Sequence, residues 1–198
     1  HNIKPYRLAL IGGATAGVYG GAYFYIQKMW WNDQTVQFHF DQGRDLEYAK
    51  NVDKGGHFFG GILVSDMTQW SLRWSGVKEK HAYWYGVAMG SLIQLTIEMK
   101  DAYAPFWGFS KQDFAIGTLG SFLPIAKRYW KPMKYIDFKF SYYKRSNKYW
   151  ELAEVQHPES HVPWYAWQDD YINQTYWVTV YPLKDLDIHV GLSFGVGL

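Results

Sequence analysis

The chain has 198 residues, room for one domain or at most two compact halves. With 48% apolar residues, 19% charged residues and a net charge of +2, it is neither a disordered chain nor one with the basic footprint that nucleic acid requires. Cysteine is absent, which excludes disulfide frameworks, thiolate metal sites, cysteine nucleophiles and a lipidated cysteine within these residues. Aromatic residues reach 20%, with 11 Trp and 17 Tyr, a composition typical of membrane interfaces and recognition surfaces, where one end of a ring is apolar and the other wet. A start at His1 means either that a leader has been removed or that the N-terminus is incomplete; a cleaved signal peptide would fit and would place the chain in the envelope.

The first element is the uncharged run Leu8–Ile26, whose 19 residues approach the roughly 20 needed to span a bilayer. Gly13, Gly17 and Gly21 recur every four residues within it, the spacing that lets helix backbones approach closely. The expectation is a helix over Arg7–Trp31, in a membrane or tightly buried, in which Gly17→Leu would overfill a close contact. Thr35–Phe40 alternates as a short strand does. Further helices are expected over Lys54–Trp74, with Gly56 and Gly60, and over Lys78–Tyr103, with Gly86 and Gly90. A fourth starts at Ser110, where Ser110 and Asp113 have capping-box spacing, and runs to about Trp130 with a kink near Pro124. Helices 2–4 are more polar than ordinary spans, since Asp66 and Arg73 interrupt the second, and a soluble bundle with an aromatic-rich core is the alternative.

Beyond Trp130 the period changes from 3.6 to 2. Alternation over Ile136–Tyr142, Thr175–Tyr181 and Ile188–Leu198 predicts three strands, the last with the cleanest pattern. The architecture read from the sequence is mainly α with a β portion. Residues 1–131 form an up-down four-helix bundle, membrane-associated, and 132–198 form a small antiparallel sheet packed on the bundle or on a partner.

Up-down topology brings the start of helix 2, the end of helix 3 and the start of helix 4 to one end. Asp53, Lys54, His57, Glu98, Asp101, Ser110 and Asp113 therefore converge there. Three chemistries suit such a set: helix caps within a satisfied polar network, an oxygen-and-imidazole metal site, or acid–base catalysis with His57, Glu98 or Asp101 carrying the proton. The spacing is not diagnostic of a metal, and neither metal nor cofactor is assigned. His157 and His161 form a weaker chelating pair, and the aromatic segment Trp164–Trp167 could stack on sugar rings. Phosphate loops, nucleophile elbows and zincin motifs are absent.

Six words of the sequence occur in order: Asp53-Lys-Gly-Gly-His57, Leu72-Arg-Trp-Ser-Gly76, Glu98-Met-Lys-Asp101, Trp107-Gly-Phe-Ser-Lys-Gln-Asp113, Lys139-Phe-Ser141 and Asp170-Tyr-Ile-Asn-Gln-Thr-Tyr-Trp177. In these the chain resembles the YfiM-like predicted periplasmic (lipo)proteins of the Bacteroidota-type envelope, a family without an assigned activity. More distantly, the Asp-Lys-x-x-His, Glu and Asp elements are similar to those of VanZ-like membrane proteins. Two positions depart from the YfiM-like pattern: Gly117 stands where that family has Asn, and Ala102 where it commonly has Gly. The resemblance implies export and residence in the periplasm or at the outer membrane. The function expected is a non-catalytic accessory subunit of an envelope complex, with membrane lipid and other envelope proteins as partners and no nucleic acid. The alternative is a VanZ-like enzyme acting on a lipid or cell-wall precursor through the polar cluster.

Overall fold

The computed structural model describes residues 2–27, 35–148, 151 and 170–198. Four helices come first: α1 (Pro5–Ile26), α2 (Asp53–Trp74), α3 (Glu79–Asp101) and α4 (Lys111–Tyr129). Strands β1 (Ile136–Tyr142), β2 (Gln174–Val180) and β3 (Leu192–Gly197) follow as one antiparallel sheet in that order. Trp30, Trp31, His157, His161 and Trp164–Trp167 lie outside the described residues.

Glycine and small polar residues set the packing of α2, α3 and α4. A Cβ on Gly61 would strike the Gly117 carbonyl, and one on Gly120 the Phe58 carbonyl, so α2 and α4 touch backbone to backbone. On α3, a Cβ at Gly86 would lie 2.6 Å from the Ser65 carbonyl, and Gly90 lies against Ser121. Gly56 and Gly60 face Tyr176 and Gln94 with slightly more room. The core is correspondingly thin: Ala82, Val87 and Leu123 are buried beside Ser65, Gln69, Gln94 and Ser121.

Helix α1 departs from expectation. Its Gly12, Gly13, Gly17, Gly20 and Gly21 have open space where a Cβ would stand, so the Gly13, Gly17 and Gly21 ridge packs against none of the described residues. The helix is held instead at its ends and at Tyr19, whose hydroxyl donates to Thr96 Oγ1 at 3.3 Å. Lys4 N–H donates to Ser75 O at 2.8 Å, the Arg7 guanidinium lies 4.3 Å over the Trp74 ring, and Lys100 Nζ donates to Gln27 Oε1 at 2.6 Å. The up-down order holds, but the packed unit is α2–α4. No described helix is long and apolar enough to cross a membrane, which corrects the expectation of membrane-spanning helices. The physical reason is that Gly, Ala, Thr and Tyr make an uncharged run without making a strongly hydrophobic one.

The expected strand over Thr35–Phe40 is reduced to one bridge, Phe40 to Phe109. Its backbone is satisfied across the α3–α4 connection instead, with Val36 N–H on Tyr103 O and His39 N–H on Ala102 O. After a short 3-10 turn at Arg44–Leu46, Ala49, Lys50 and Asn51 all take positive φ, a left-handed run that turns the chain into α2.

In the sheet, Phe138 stands opposite Val178 and Val178 opposite Phe194, while Phe140 pairs with Tyr176 and Tyr176 with Val196. Phe138 and Phe140 meet Phe58 and Phe59 of α2 at ring-centroid distances of 5.0 and 5.8 Å. The same apolar rows run out past the helix, and Phe194 is 66% and Val196 68% exposed. The alternation expected over Ile188–Leu198 is therefore present in β3, but its apolar face is uncovered.

Candidate functional site

The polar cluster forms where topology placed it. Asp53 and Lys54 open α2, Asp113 lies in the first turn of α4, and Glu98 in the last turn of α3. Helix N-termini favour carboxylates and a helix C-terminus disfavours them, so Asp53 and Asp113 stand in sites suited to charge and Glu98 does not.

Lys54 Nζ lies 2.9 Å from Asp45 Oδ1, 3.3 Å from Asp53 Oδ2 and 3.3 Å from Asp113 Oδ1. One ammonium thus serves three carboxyls, and they in turn hold its pKa above the usual lysine range against the effect of burial. Burial raises Asp53, with Lys54 offsetting part of the effect. Burial also acts on Asp45, but hydrogen bonds with Asp113, Lys54 and Ser110 outweigh it and hold Asp45 low. The Ser110 hydroxyl donates to Asp45 Oδ2 at 2.7 Å and accepts from Asp113 N–H at 3.1 Å, the N-cap contact expected from the Ser110–Asp113 spacing. Asp113 does not reciprocate; the Ser110 N–H goes to Glu98 Oε2 at 2.8 Å.

His57 forms the second half. Its Nδ1 lies 2.9 Å from Gln94 Oε1, and Gln94 Nε2 donates back to the His57 carbonyl at 3.3 Å. Nε2 faces Asp113 Oδ2 at 3.8 Å, and Glu98 Oε1 is 3.9 Å from Nδ1. Glu98 is 1% exposed, and burial, reinforced by Asp101, pushes its carboxyl up to about 9, so it is neutral at pH 7. Burial pushes Asp113 up to about 6, with His57 opposing.

All seven expected residues share this end of the bundle. Six are joined by the contacts above, and Asp101, half-buried one turn beyond Glu98, raises that carboxyl through its charge. Three participants escaped the sequence reading. Asp45 sits in an aperiodic connection with no local signal. Gln94 is one helical turn before Glu98, and i, i+4 spacing could have found it. Tyr176 arrives from β2, its ring against Gly55 and its hydroxyl donating to Gln174 Oε1 at 2.7 Å, and so roofs the first turn of α2.

Residues 43–126 match the model of a family described as "Predicted periplasmic lipoprotein (DUF2279)". No curated protein and no solved structure matches the chain. The stretch similar to the periplasmic lipoprotein family begins just before Asp45 and ends after Asp113, taking in every charged residue of the cluster and leaving out α1 and the sheet with Tyr176. Gly117 of α4 leaves space beside the cluster. Here Gln94 fills that space, lying against the Gly117 backbone where a Cβ would stand, and its amide engages His57. An amide is therefore present beside the cluster, supplied from α3 and not from α4.

Proposed function

We propose that the chain is a non-catalytic accessory protein of the bacterial cell envelope, which docks a partner envelope protein on the uncovered part of its sheet. The similarity of residues 43–126 to a predicted periplasmic lipoprotein family supports the location. The observation that carries the docking is the overhang. Apolar rows that are packed under β1 continue unpacked into β3, where Leu192, Phe194 and Val196 are each more than 60% exposed, and β3 is an edge strand of the sheet among the described residues. Water-exposed edges of this kind invite strand addition, which gives a partner both backbone hydrogen bonds and apolar contact. The exposed glycine ridge of α1 and the exposed Trp70, Trp84 and Trp130 offer further surface to envelope proteins or to the lipid face of a membrane. A native pull-down from envelope extract tests the reading. A stoichiometric partner should accompany the parent and be lost from a folded Phe194→Glu, Val196→Glu variant. A parent that elutes alone, or a variant that keeps the partner, overturns it.

A second reading is an enzyme of VanZ-like type acting on a lipid or wall precursor. One observation favours it: two carboxyls with raised pKa, Glu98 and Asp113, flank a histidine whose side chain retains 19% exposure. Turnover of a labelled precursor that is abolished in His57→Gln, with the fold retained, would support this reading over docking.

A further inference from the structure

The cluster contains two three-residue sets of ligand atoms, each with all members within 4.8 Å of one another: Asp45, Asp53 and Asp113, and His57, Glu98 and Asp113. The first set has its own cation, since Lys54 Nζ lies within 3.3 Å of all three carboxyls. The second shares Asp113, and with it one contact to Lys54, whose ion pairs do not extend to His57 or Glu98. Asp113 is 5% exposed and bridges the two sets, its Oδ1 ion-paired with Lys54 at 3.3 Å and its Oδ2 facing His57 Nε2.

Gln94 fixes the histidine. Its amide nitrogen donates to the His57 carbonyl, which turns its oxygen toward Nδ1; Nδ1 must then carry the proton and donate. In the neutral imidazole Nε2 is then the lone pair, 3.8 Å from the carboxylate oxygen Asp113 Oδ2. Two acceptors face one another at a separation too long for a hydrogen bond and close to the roughly 3.4 Å between ligand atoms around a metal with 2.1 Å bonds. A histidine whose other nitrogen is held by an amide is the usual arrangement of a metal ligand with its supporting hydrogen bond.

We propose that His57 Nε2, Asp113 and Glu98 bind one divalent transition-metal cation, of the Zn²⁺ or Mn²⁺ type that a mixed imidazole and carboxylate set suits. Gln94 is the positioning residue that presents Nε2, and Lys54 is the fixed cation that compensates the adjoining aspartates. The site is independent of what docks on the sheet.

The test is calorimetric titration of the chelator-dialysed full chain with Zn²⁺ and with Mn²⁺, together with thermal melts in each metal. One site per chain and a raised melting temperature are expected. Asp113→Asn and His57→Gln should each abolish that site. Gln94→Leu, which leaves all three ligands in place, should weaken it about tenfold or more. His157→Ala with His161→Ala should leave it intact. Absence of binding to the parent overturns the proposal without reliance on any variant. Binding that survives His57→Gln, or that is lost with His157 and His161, overturns it equally.

Discussion

Replacing Glu98 with Gln removes one titrating group from the centre of the bundle while keeping an oxygen to accept the Ser110 N–H. The folded chain holds the Glu98 proton up to about pH 9, whereas an unfolded chain releases it near the ordinary glutamate value of 4.5. Between those values the native state binds the extra proton, so stability contributed by this group is complete below pH 4.5 and is lost as pH rises toward 9. The slope is about 1.4 kcal/mol per pH unit, or roughly 3 kcal/mol between pH 6 and pH 8. Glu98→Gln should therefore lose about 3 kcal/mol less than the parent over that interval, which for a chain of this size is a difference of about 6–12 °C in melting temperature. Urea unfolding followed by tryptophan fluorescence at pH 6, 7 and 8, with chelator present, reads the effect. Parallel pH profiles for parent and variant would refute the assignment of a neutral, buried Glu98.

Lys54→Met strands three carboxyls without their shared ammonium and should cost about 3–5 kcal/mol, measured by urea unfolding at pH 7. The loss should shrink at low pH, where the carboxyls are protonated. Ser110→Ala removes the N-cap of α4 and the donor to Asp45, with an expected loss of about 1–2 kcal/mol in the same assay. Gly120→Ala places a methyl on the Phe58 carbonyl and should lower stability by about 1–3 kcal/mol or more. Gly17→Leu, by contrast, meets open space and should leave the stability of the isolated chain unchanged or slightly improved, reversing the expectation drawn from its spacing.

Helix periodicity and capping made most of the fold legible. The boundaries of α2, α3 and α4 follow from the Lys54–Trp74 and Lys78–Tyr103 patterns and from the Ser110 cap, and the strands from alternation after Trp130. Short connections between α2, α3 and α4 then placed Asp53, His57, Glu98 and Asp113 together. The α1 ridge misled because a small-xxx-small spacing states that a close contact is possible, not which surface supplies it. Gly61, Gly117 and Gly120, which make the closest backbone contacts, carry no such regular signal across helices.

What the sequence determined by itself is therefore local and periodic: where helices begin, which face a strand presents, and which end of the bundle gathers charge. Tertiary structure decided what depends on distance between remote segments. It brought Asp45 from an aperiodic loop onto Lys54, and it lodged Gln94 against Gly117 so that the amide reaches His57. It also set the pKa of Glu98, because that value comes from loss of water around a carboxyl, and burial belongs to the packed chain and to no residue or spacing within it.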